Sequence, residues 1–261
     1  MKSVSVTIHP QAVVSKKANL APGVEVGPFA VIEDNVKIGE NSRIGPHCLV
    51  TGFTTIGKDC KIFKGAVLGS PPQDLKYTYK ESYVEIGDSN TIREFVTVNP
   101  GTDRGSRTVI GNNNLIMAYS HVAHNCNIGN NCILANGSTL AGHVEIEDKA
   151  VVGGLVAIHQ FCRVGRLSII GGCSKVVQDI PPFAMADGHP AAVKGINIVG
   201  LRRTGVSNEA IRLLKNAFKV LFFEGHLLSK AYELLSKEIA VSSELEYLVS
   251  FLKSSSRGVA K

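Results

Sequence analysis

The chain has 261 residues, of which 44% are hydrophobic and 19% are charged, a composition that can bury a core and excludes global disorder. Its formal net charge is +6, and it contains 26 glycines but no tryptophan. No apolar run approaches the ~18 residues of a membrane-spanning helix, and the amino terminus lacks the apolar core of a signal peptide. We therefore expect a cytoplasmic protein without a membrane span, in which the six cysteines are small apolar residues rather than disulfides.

Aliphatic residues recur at every sixth position between Ile8 and Val176. Of the 29 positions in this series, 26 hold Ile, Leu or Val, and the exceptions are Asp74, Lys80 and Arg104. A second row, four residues further on, is mostly small and includes five of the six cysteines. A period of six fits neither a helix nor simple strand alternation, so it predicts short strands joined by corners. Three strands per turn give coils of about 18 residues, and roughly nine such coils would stack at the spacing of β-strands.

The repeat is interrupted twice, near residues 70–83 and near residues 99–108. The first segment contains two adjacent prolines and the second contains a Pro-Gly pair, which favour loops over strands. We interpret both as loops ejected from the column. Long loops on a regular scaffold often carry function.

A helical pattern replaces the repeat after Val177. Apolar residues recur at helical spacing from Ala210 to Leu221, and a glycine can end that helix. The sequence therefore predicts an all-β column over residues 1–190 and an α-helical domain over residues 191–261, with further helices near residues 229–237 and 243–254.

Most of the positive charge lies in the carboxyl-terminal part of the chain. Residues 190–230 contain seven basic and two acidic side chains, a net charge of 7 − 2 = +5. Arg212, Lys215 and Lys219 form a basic stripe opposite the apolar face of the predicted helix. This charge predicts docking to an acidic partner. Because no nucleic-acid-binding motif accompanies it, we expect no nucleic-acid partner.

Four of the eight histidines fall on one strip of the predicted column. The repeat stacks Val122, Leu140 and Ile158 in successive coils, and each histidine lies within three residues of one of them. An imidazole can act as a general base near neutral pH, which makes the strip a candidate active site. Three histidines can also hold a catalytic zinc ion, so metal chemistry stays open at this point. The four residues are His121, His124, His143 and His159.

Five short motifs resemble one family of enzymes: Gln73-Asp74-Leu75-Lys76-Tyr77, His121-Val122-Ala123-His124, Leu140-Ala141-Gly142-His143, His159-Gln160-Phe161-Cys162 and Gly171-Gly172-Cys173-Ser174. Together with Asn197 and Gly200-Leu201-Arg202-Arg203, they make the whole chain similar to the acyl-carrier-protein–UDP-N-acetylglucosamine O-acyltransferases of lipid A synthesis. The resemblance implies an all-β left-handed parallel β-helix of hexapeptide repeats followed by an α-helical carboxyl-terminal domain. It also implies a homotrimer that moves a 3-hydroxyacyl chain from acyl carrier protein to the 3-hydroxyl of UDP-N-acetylglucosamine. The carrier thioester is then the acyl donor, and neither a cofactor nor a metal is expected.

The resemblance also implies roles for individual residues. His124 matches the general base, and the backbone N–H of Gly142 matches the donor that stabilises the oxyanion. Gly172 matches the residue that limits acyl-chain length, and a glycine there favours a longer chain than a methionine would. The basic stripe matches a docking surface for acyl carrier protein, which is acidic. The matches to substrate-binding residues are Asp74, Lys76, His121, His143, His159, Gln160, Asn197 and Arg203.

One residue beside the candidate base departs from the family pattern. Asn125 follows His124 where the better-known members carry Asp, and an amide cannot stabilise an imidazolium as a carboxylate does. An amine is a stronger nucleophile than a hydroxyl, so N-acylation of a 3-amino UDP-sugar is an alternative. A zinc-dependent carbonic anhydrase and a non-catalytic β-helix scaffold are two others, although the scaffold leaves the histidine strip unexplained.

Overall fold

Short parallel strands build most of the molecule. The computed structural model describes residues 5–79, 81–236 and 242–261. The strands form three sheets; among β1 to β26 each sheet takes every third strand in chain order, and β27 and β28 extend the first sheet. The sheets are therefore the three faces of a triangular column around which the chain winds, a parallel β-helix. The strands are β1 (Thr7–Ile8), β2 (Val13–Val14), β3 (Asn19–Leu20), β4 (Glu25–Val26), β5 (Val31–Ile32), β6 (Lys37–Ile38), β7 (Arg43–Ile44), β8 (Leu49–Val50), β9 (Phe53–Ile56), β10 (Lys61–Ile62), β11 (Val67–Leu68), β12 (Tyr83–Ile86), β13 (Thr91–Ile92), β14 (Thr97–Val98), β15 (Arg107–Ile110), β16 (Leu115–Ile116), β17 (His121–Val122), β18 (Asn127–Ile128), β19 (Ile133–Leu134), β20 (Thr139–Leu140), β21 (Glu145–Ile146), β22 (Val151–Val152), β23 (Ala157–Ile158), β24 (Arg163–Val164), β25 (Ile169–Ile170), β26 (Lys175–Val176), β27 (Ala184–Gly188) and β28 (Ala191–Ile196).

Strand register confirms coils of 18 residues with two insertions. Arg43 of β7 pairs with Lys61 of β10, a separation of 61 − 43 = 18 positions. Lys61 pairs with Thr91 of β13 across 91 − 61 = 30 positions, and Thr91 pairs with Leu115 of β16 across 115 − 91 = 24 positions. The two loops thus add 12 and 6 residues to their coils, or two repeats and one repeat. Strands β12 and β15 already begin inside the segments predicted as loops.

The aliphatic row lies on the axis of the column, and the small row fills the space beside it. Ile32 and Leu134 of the first row are at most 1% exposed. In the second row, Cys48 Sγ donates to the backbone oxygen of Phe63 at 3.0 Å. All six cysteines are free and five are buried, and burial raises the pKa of Cys48 to about 11 and of Cys126 to about 12. The five buried thiols are therefore unreactive packing groups, whereas Cys173 is exposed.

The column ends in a hairpin. β27 continues the first sheet in parallel with β25, and β28 returns antiparallel to β27. Residues 191–196 therefore form a strand, although the sequence predicts a helical domain from residue 191. The reason is that β27 offers an unpaired edge at the end of the column, where a further strand can satisfy its backbone hydrogen-bonding groups.

Helices follow the hairpin: α1 (Ile198–Arg203), α2 (Asn208–Phe218) with a π-helical continuation (Lys219–Phe223), α3 (Leu228–Leu234) and α4 (Ser243–Ser254). Ser207 caps α2 by accepting a hydrogen bond from the N–H of Ala210. The apolar face predicted for α2 is buried. Residue 237 of the helix predicted near residues 229–237 lies outside the described residues. None of the helices in the described ranges is long and apolar enough to cross a bilayer.

Candidate active site

The four histidines lie along one edge of the column, where the second sheet turns into the third. The corner residues Asn125, His143 and Phe161 follow β17, β20 and β23, and they have left-handed φ angles of 60°, 61° and 65°. The ring centroid of His143 lies 5.2 Å from that of His124 and 4.7 Å from that of Phe161, on which it stacks. The histidine edge, as we call this row of corners with the histidines beside it, thus brings the predicted strip together in space.

The side-chain oxygen of Asn125 fixes the candidate base. It accepts hydrogen bonds from the backbone N–H and the hydroxyl of Thr102, each at 3.1 Å, and it lies 2.9 Å from Nδ1 of His124. Because a backbone N–H can only donate, the contacting atom of Asn125 is its amide oxygen, and Nδ1 of His124 therefore carries a hydrogen. The neutral imidazole then has its lone pair on Nε2, which is the state that a general base needs.

Gly142 lies against the ring of His124. A β-carbon at this position would lie 2.6 Å from Nε2, so a side chain would displace the candidate base. The Gly142 N–H has no acceptor within the described part of the chain. A proton acceptor and an unused N–H donor are therefore neighbours, as acyl transfer requires.

His121 and His143 flank the base and are held mainly neutral near pH 7. Burial lowers the pKa of both rings, and the proximity of His124 lowers it further, while Asp103 opposes the shift at His143. His121 Nδ1 also lies 2.6 Å from Oγ1 of Thr97. Neutral imidazoles suit hydrogen bonding to sugar hydroxyls better than charge-based binding of phosphate.

His159 and Gln160 lie exposed at the carboxyl-terminal end of the histidine edge. Nδ1 of His159 lies 3.2 Å from the backbone oxygen of Gln160 and 3.2 Å from Nη2 of Arg257. Both predicted side chains are therefore accessible to a ligand that lies along this edge.

The two ejected loops reach the histidine edge together. The second loop contacts it through the hydrogen bonds described above, and Gly105 N donates to the backbone oxygen of Glu81 in the first loop at 2.8 Å. Asn99, which is 5% exposed, donates to the backbone oxygen of Ser70 at 2.9 Å and so anchors the start of the first loop. Within that loop, Asp74 Oδ1 accepts from the N–H of Lys76 at 2.9 Å, and the Lys76 side chain is exposed.

Three of the predicted residues lie on other edges of the column. Asn197 caps α1 and donates from Nδ2 to the backbone oxygen of Leu167 at 2.8 Å, on the edge between the third and first sheets. Arg203 is exposed at the end of the same helix. Gly172 lies exposed on the remaining edge, where a β-carbon would meet only Gly154, at 3.3 Å. One chain alone therefore does not gather the whole predicted site.

The basic stripe is exposed along α2 and its π-helical continuation. Arg212 pairs with Glu209 at 2.7 Å, and Lys219 pairs with Glu224 at 3.2 Å. Exposed ion pairs of this kind are weak, so the cations can exchange these carboxylates for those of a partner.

Two residues that contact the histidine edge have no role in the sequence analysis. Thr102 lies in the second interruption of the repeat, and that interruption is the sequence signal that could have pointed to it as a loop residue. Arg257 contacts His159 from 98 positions away in the sequence, and no pattern indicates that contact.

A metal site would need ligands that converge on one point. Within residues 5–79, 81–236 and 242–261, no group of three or more His, Cys, Asp or Glu side chains could hold a metal ion. Nδ1 of His121 and Nδ1 of His124 instead have protein oxygens as neighbours.

Similarity to known proteins covers nearly the whole chain. The profile described as "Udp N-acetylglucosamine O-acyltransferase; Domain 2" matches residues 179–260, and "Bacterial transferase hexapeptide (six repeats)" matches residues 17–52 and 107–142. The acyl-[acyl-carrier-protein]–UDP-N-acetylglucosamine O-acyltransferase of Thiobacillus denitrificans is 51% identical over 257 residues, which cover 98% of this chain and 99% of that one. The protein of the same name from Alkalilimnicola ehrlichii is 50% identical over 258 residues, with coverages of 97% and 99%.

Solved structures agree with the sequence matches. The UDP-N-acetylglucosamine acyltransferase of Bacteroides fragilis superimposes with a TM-score of 0.95 at 44% identity and covers 98% of this chain and 100% of that one. The enzyme of Francisella novicida gives a TM-score of 0.93 at 38% identity, with coverages of 97% and 94%. The fold is thus confirmed as a left-handed parallel β-helix of hexapeptide repeats followed by a smaller α-helical region. With half of its residues identical over nearly its full length and with the same fold, this chain belongs to the acyl-[acyl-carrier-protein]–UDP-N-acetylglucosamine O-acyltransferase family.

Proposed function

We propose that this chain transfers a 3-hydroxyacyl group from acyl carrier protein to the 3-hydroxyl of UDP-N-acetylglucosamine, in the cytoplasm and as the first step of lipid A biosynthesis. The observation that carries the proposal is the 2.9 Å contact between Nδ1 of His124 and Oδ1 of Asn125, from which the tautomer of His124 follows. Its Nε2 lone pair is left available beside the unused N–H of Gly142. The names of the relatives give acyl carrier protein as the acyl donor and an oxygen of UDP-N-acetylglucosamine as the acceptor, which supports this reaction.

Each step of the reaction follows from these two groups. Nε2 of His124 accepts the proton of the sugar 3-hydroxyl while the hydroxyl oxygen attacks the thioester carbonyl carbon. The carbonyl oxygen becomes negatively charged, and the Gly142 N–H donates a hydrogen bond to it. The C–S bond then breaks, an ester remains on the sugar, and the imidazolium returns its proton to the leaving thiolate. Asn125 keeps the ring in place throughout, and it does so without a charge.

The remaining predicted residues are assigned to substrate binding. The neutral rings of His121 and His143 suit sugar hydroxyls, and the exposed guanidinium of Arg203 suits a phosphate. We assign acyl-chain length to Gly172 and carrier docking to the basic stripe. The other assigned contacts are Asp74, Lys76, His159, Gln160 and Asn197.

A homotrimer would complete the site. The edge that carries Gly172 also presents Phe95, Tyr119 and Leu155, which are 44%, 66% and 68% exposed. An exposed apolar row of this kind is typical of an interface. If this edge of one copy faced the histidine edge of the next, Gly172 and His124 would line one cleft.

The experiment that tests the function offers both acceptors at once. Purified protein is incubated with UDP-N-acetylglucosamine, its 3-amino analogue and a mixed pool of 3-hydroxyacyl carrier proteins, and the products are weighed by mass spectrometry. We expect an ester of UDP-N-acetylglucosamine, which mild alkali cleaves, and no product from a His124→Ala control of unchanged fold. An amide as sole product would replace the proposal by N-acylation, and near-full activity of the His124→Ala control would refute the base.

A further inference from the structure

The chain returns to the column after α4 and pairs with its last coil. Ser255 Oγ donates to Oδ2 of Asp179 at 2.7 Å. The backbone N–H of Asp179 donates to the oxygen of Gly258 at 2.9 Å, and its backbone oxygen accepts from the N–H of Ala260 at 3.0 Å. We call residues 255–260 the C-terminal strap. Because Ala260 is only 2% exposed, the strap is fixed to the column at its far end as well.

The strap places the guanidinium of Arg257 against His159. Nη2 of Arg257 lies 3.2 Å from Nδ1 of His159 and 3.4 Å from the backbone oxygen of Val177. The Arg257 side chain is half-buried, and its positive charge lies close enough to Cys162 to act on the pKa of that thiol. Burial raises the pKa of Cys162 to about 11, so the neighbouring thiol adds no negative charge that would offset the guanidinium.

The two neighbours of Nδ1 demand opposite protonation states. If Nδ1 carried a hydrogen, it could donate to the backbone oxygen of Gln160 at 3.2 Å, but it would then face an N–H of Arg257 at the same distance. If Nδ1 carries a lone pair, Arg257 donates to it, since a guanidinium has only donors. A hydrogen bond from a charged donor is about twice as strong as one between neutral groups. The lone pair on Nδ1 is therefore the favoured state, and the ring hydrogen lies on Nε2.

We propose that Arg257 is a positioning residue of the active site. It orients the ring of His159 and sets its tautomer, so that Nε2–H points away from the strap as a donor to an oxygen of the nucleotide sugar. Nε2 has no partner within the described residues, and His159 is exposed. The ligand named here rests on the proposed function, whereas the tautomer does not. Because the strap continues directly from α4, it brings a side chain from the end of the helical region to the histidine edge.

The tautomer can be measured directly in the full-length protein. Histidine labelled with ¹⁵N gives ring signals that distinguish Nδ1–H from Nε2–H, and a His159→Gln variant identifies the signal of this residue. We expect Nε2–H in the wild-type protein and a mixture of both tautomers in Arg257→Gln. A Lys261→Ala variant, which changes a cation outside the strap, should leave the signal unchanged. An Nδ1–H signal in the wild-type protein, or one that Arg257→Gln does not alter, would overturn the proposal.

Kinetics then separate positioning from a general loss of structure. In Arg257→Gln we expect KM for the nucleotide sugar to rise about fivefold, the value of one ordinary hydrogen bond, with kcat within about twofold of wild type. In a His159→Gln background the same substitution should add nothing, because Arg257 acts through that ring. A full additive effect in the double variant, or an equal loss in kcat with a lowered thermal midpoint, would make Arg257 a structural residue only. If the wild-type protein makes no acylated sugar at all, the proposed function fails. The ¹⁵N signals of the His159 ring still show in that case whether Arg257 sets its tautomer.

Discussion

Asn125 takes the place beside the candidate base where a carboxylate is common in catalytic pairs, and it supplies an oxygen without a charge. The hydrogen bonds from Thr102 hold that oxygen in position. In this protein the orientation of the base therefore depends on an amide and on a loop that leaves the column. The stabilisation of the imidazolium by a neighbouring charge is absent at this contact.

This arrangement predicts different results for two substitutions of Asn125. Asn125→Ala removes the acceptor of Nδ1, so kcat should fall at least about tenfold as the ring loses its tautomer and orientation. Asn125→Asp keeps the acceptor and should retain activity. Asn113→Ala is a matched control, because Asn113 has a similar left-handed φ of 57° at an exposed corner elsewhere. Equal loss in both alanine variants would mean that corner strain, and not the contact with His124, explains the effect.

The histidines beside the base predict a stability that depends on pH. Burial lowers the pKa of His121 and His143 below the ordinary value of 6.5, so the unfolded chain binds protons that the folded chain does not. The free energy of unfolding is therefore unaffected by these two rings above about pH 6.5, where they are neutral in both states. It falls as the pH drops toward the lowered pKa values of the folded state, because protonation favours the unfolded chain. The midpoints of thermal unfolding at about pH 7.5 and about pH 5.5 measure this fall in stability. A variant with both residues changed to Gln should show a smaller drop, and an identical drop would assign the effect to other groups.

Among the elements, the short strands could be predicted almost completely and the hairpin could not. The strands follow from the row of aliphatic residues, because each axis position is filled by the same chemistry in every coil. β28 forms because β27 leaves an open sheet edge, and an edge is a property of the assembled column that no local pattern contains. The histidine edge follows from the same period, since it tells which residues stack. The contact of Arg257 with His159 depends on how the last helix ends, so the hexapeptide repeat could not predict it.

The edge that carries Gly172 makes a prediction about acyl-chain length. Gly172 has no left-handed φ, and a side chain there would point into space limited only by Gly154. Gly172→Met should therefore be tolerated by the fold and should shift the products toward shorter acyl chains, with Gly172→Ala intermediate. Mass spectrometry of products from the mixed acyl pool measures the shift. An unchanged chain distribution in both variants would remove Gly172 from this role.

The basic stripe on helix α2 predicts that binding of acyl carrier protein depends on charge. Changing all three residues of the basic stripe to Glu should raise KM for acyl carrier protein more than tenfold at low salt and less at high salt, because screening weakens attraction between exposed charges. The KM for the nucleotide sugar should not change. A triple variant Lys37→Glu, Lys58→Glu and Lys61→Glu, at exposed lysines of the amino-terminal half of the column, makes the same change in net charge and is the control. A rise in KM that does not depend on salt would contradict electrostatic docking.

For the whole molecule, the distribution of predicted residues over three edges leads us to expect that activity depends on association. Tyr119→Glu and Leu155→Glu place charges on an exposed apolar edge, so we expect them to break the assembly and abolish activity together. Analytical ultracentrifugation should give a trimer, with three times the chain mass of 27.8 kDa, for the wild-type protein and a monomer for the variants. Leu234→Glu, at a 50% exposed position on α3, is the control. A fully active monomer would show that one chain suffices.

The way the two insertions leave the column has a consequence for how the column tolerates change. Adding 12 and 6 residues leaves the downstream strands in register, because each insertion leaves the column after a strand of the second sheet and rejoins it at the next strand of the third sheet. A single deleted residue inside the column would instead turn each later aliphatic side chain toward water until the next corner absorbed the error. The two loops can therefore change in length without disturbing the aliphatic row, whereas a strand or a corner of the column cannot, and both loops leave the column at the edge where the second sheet turns into the third.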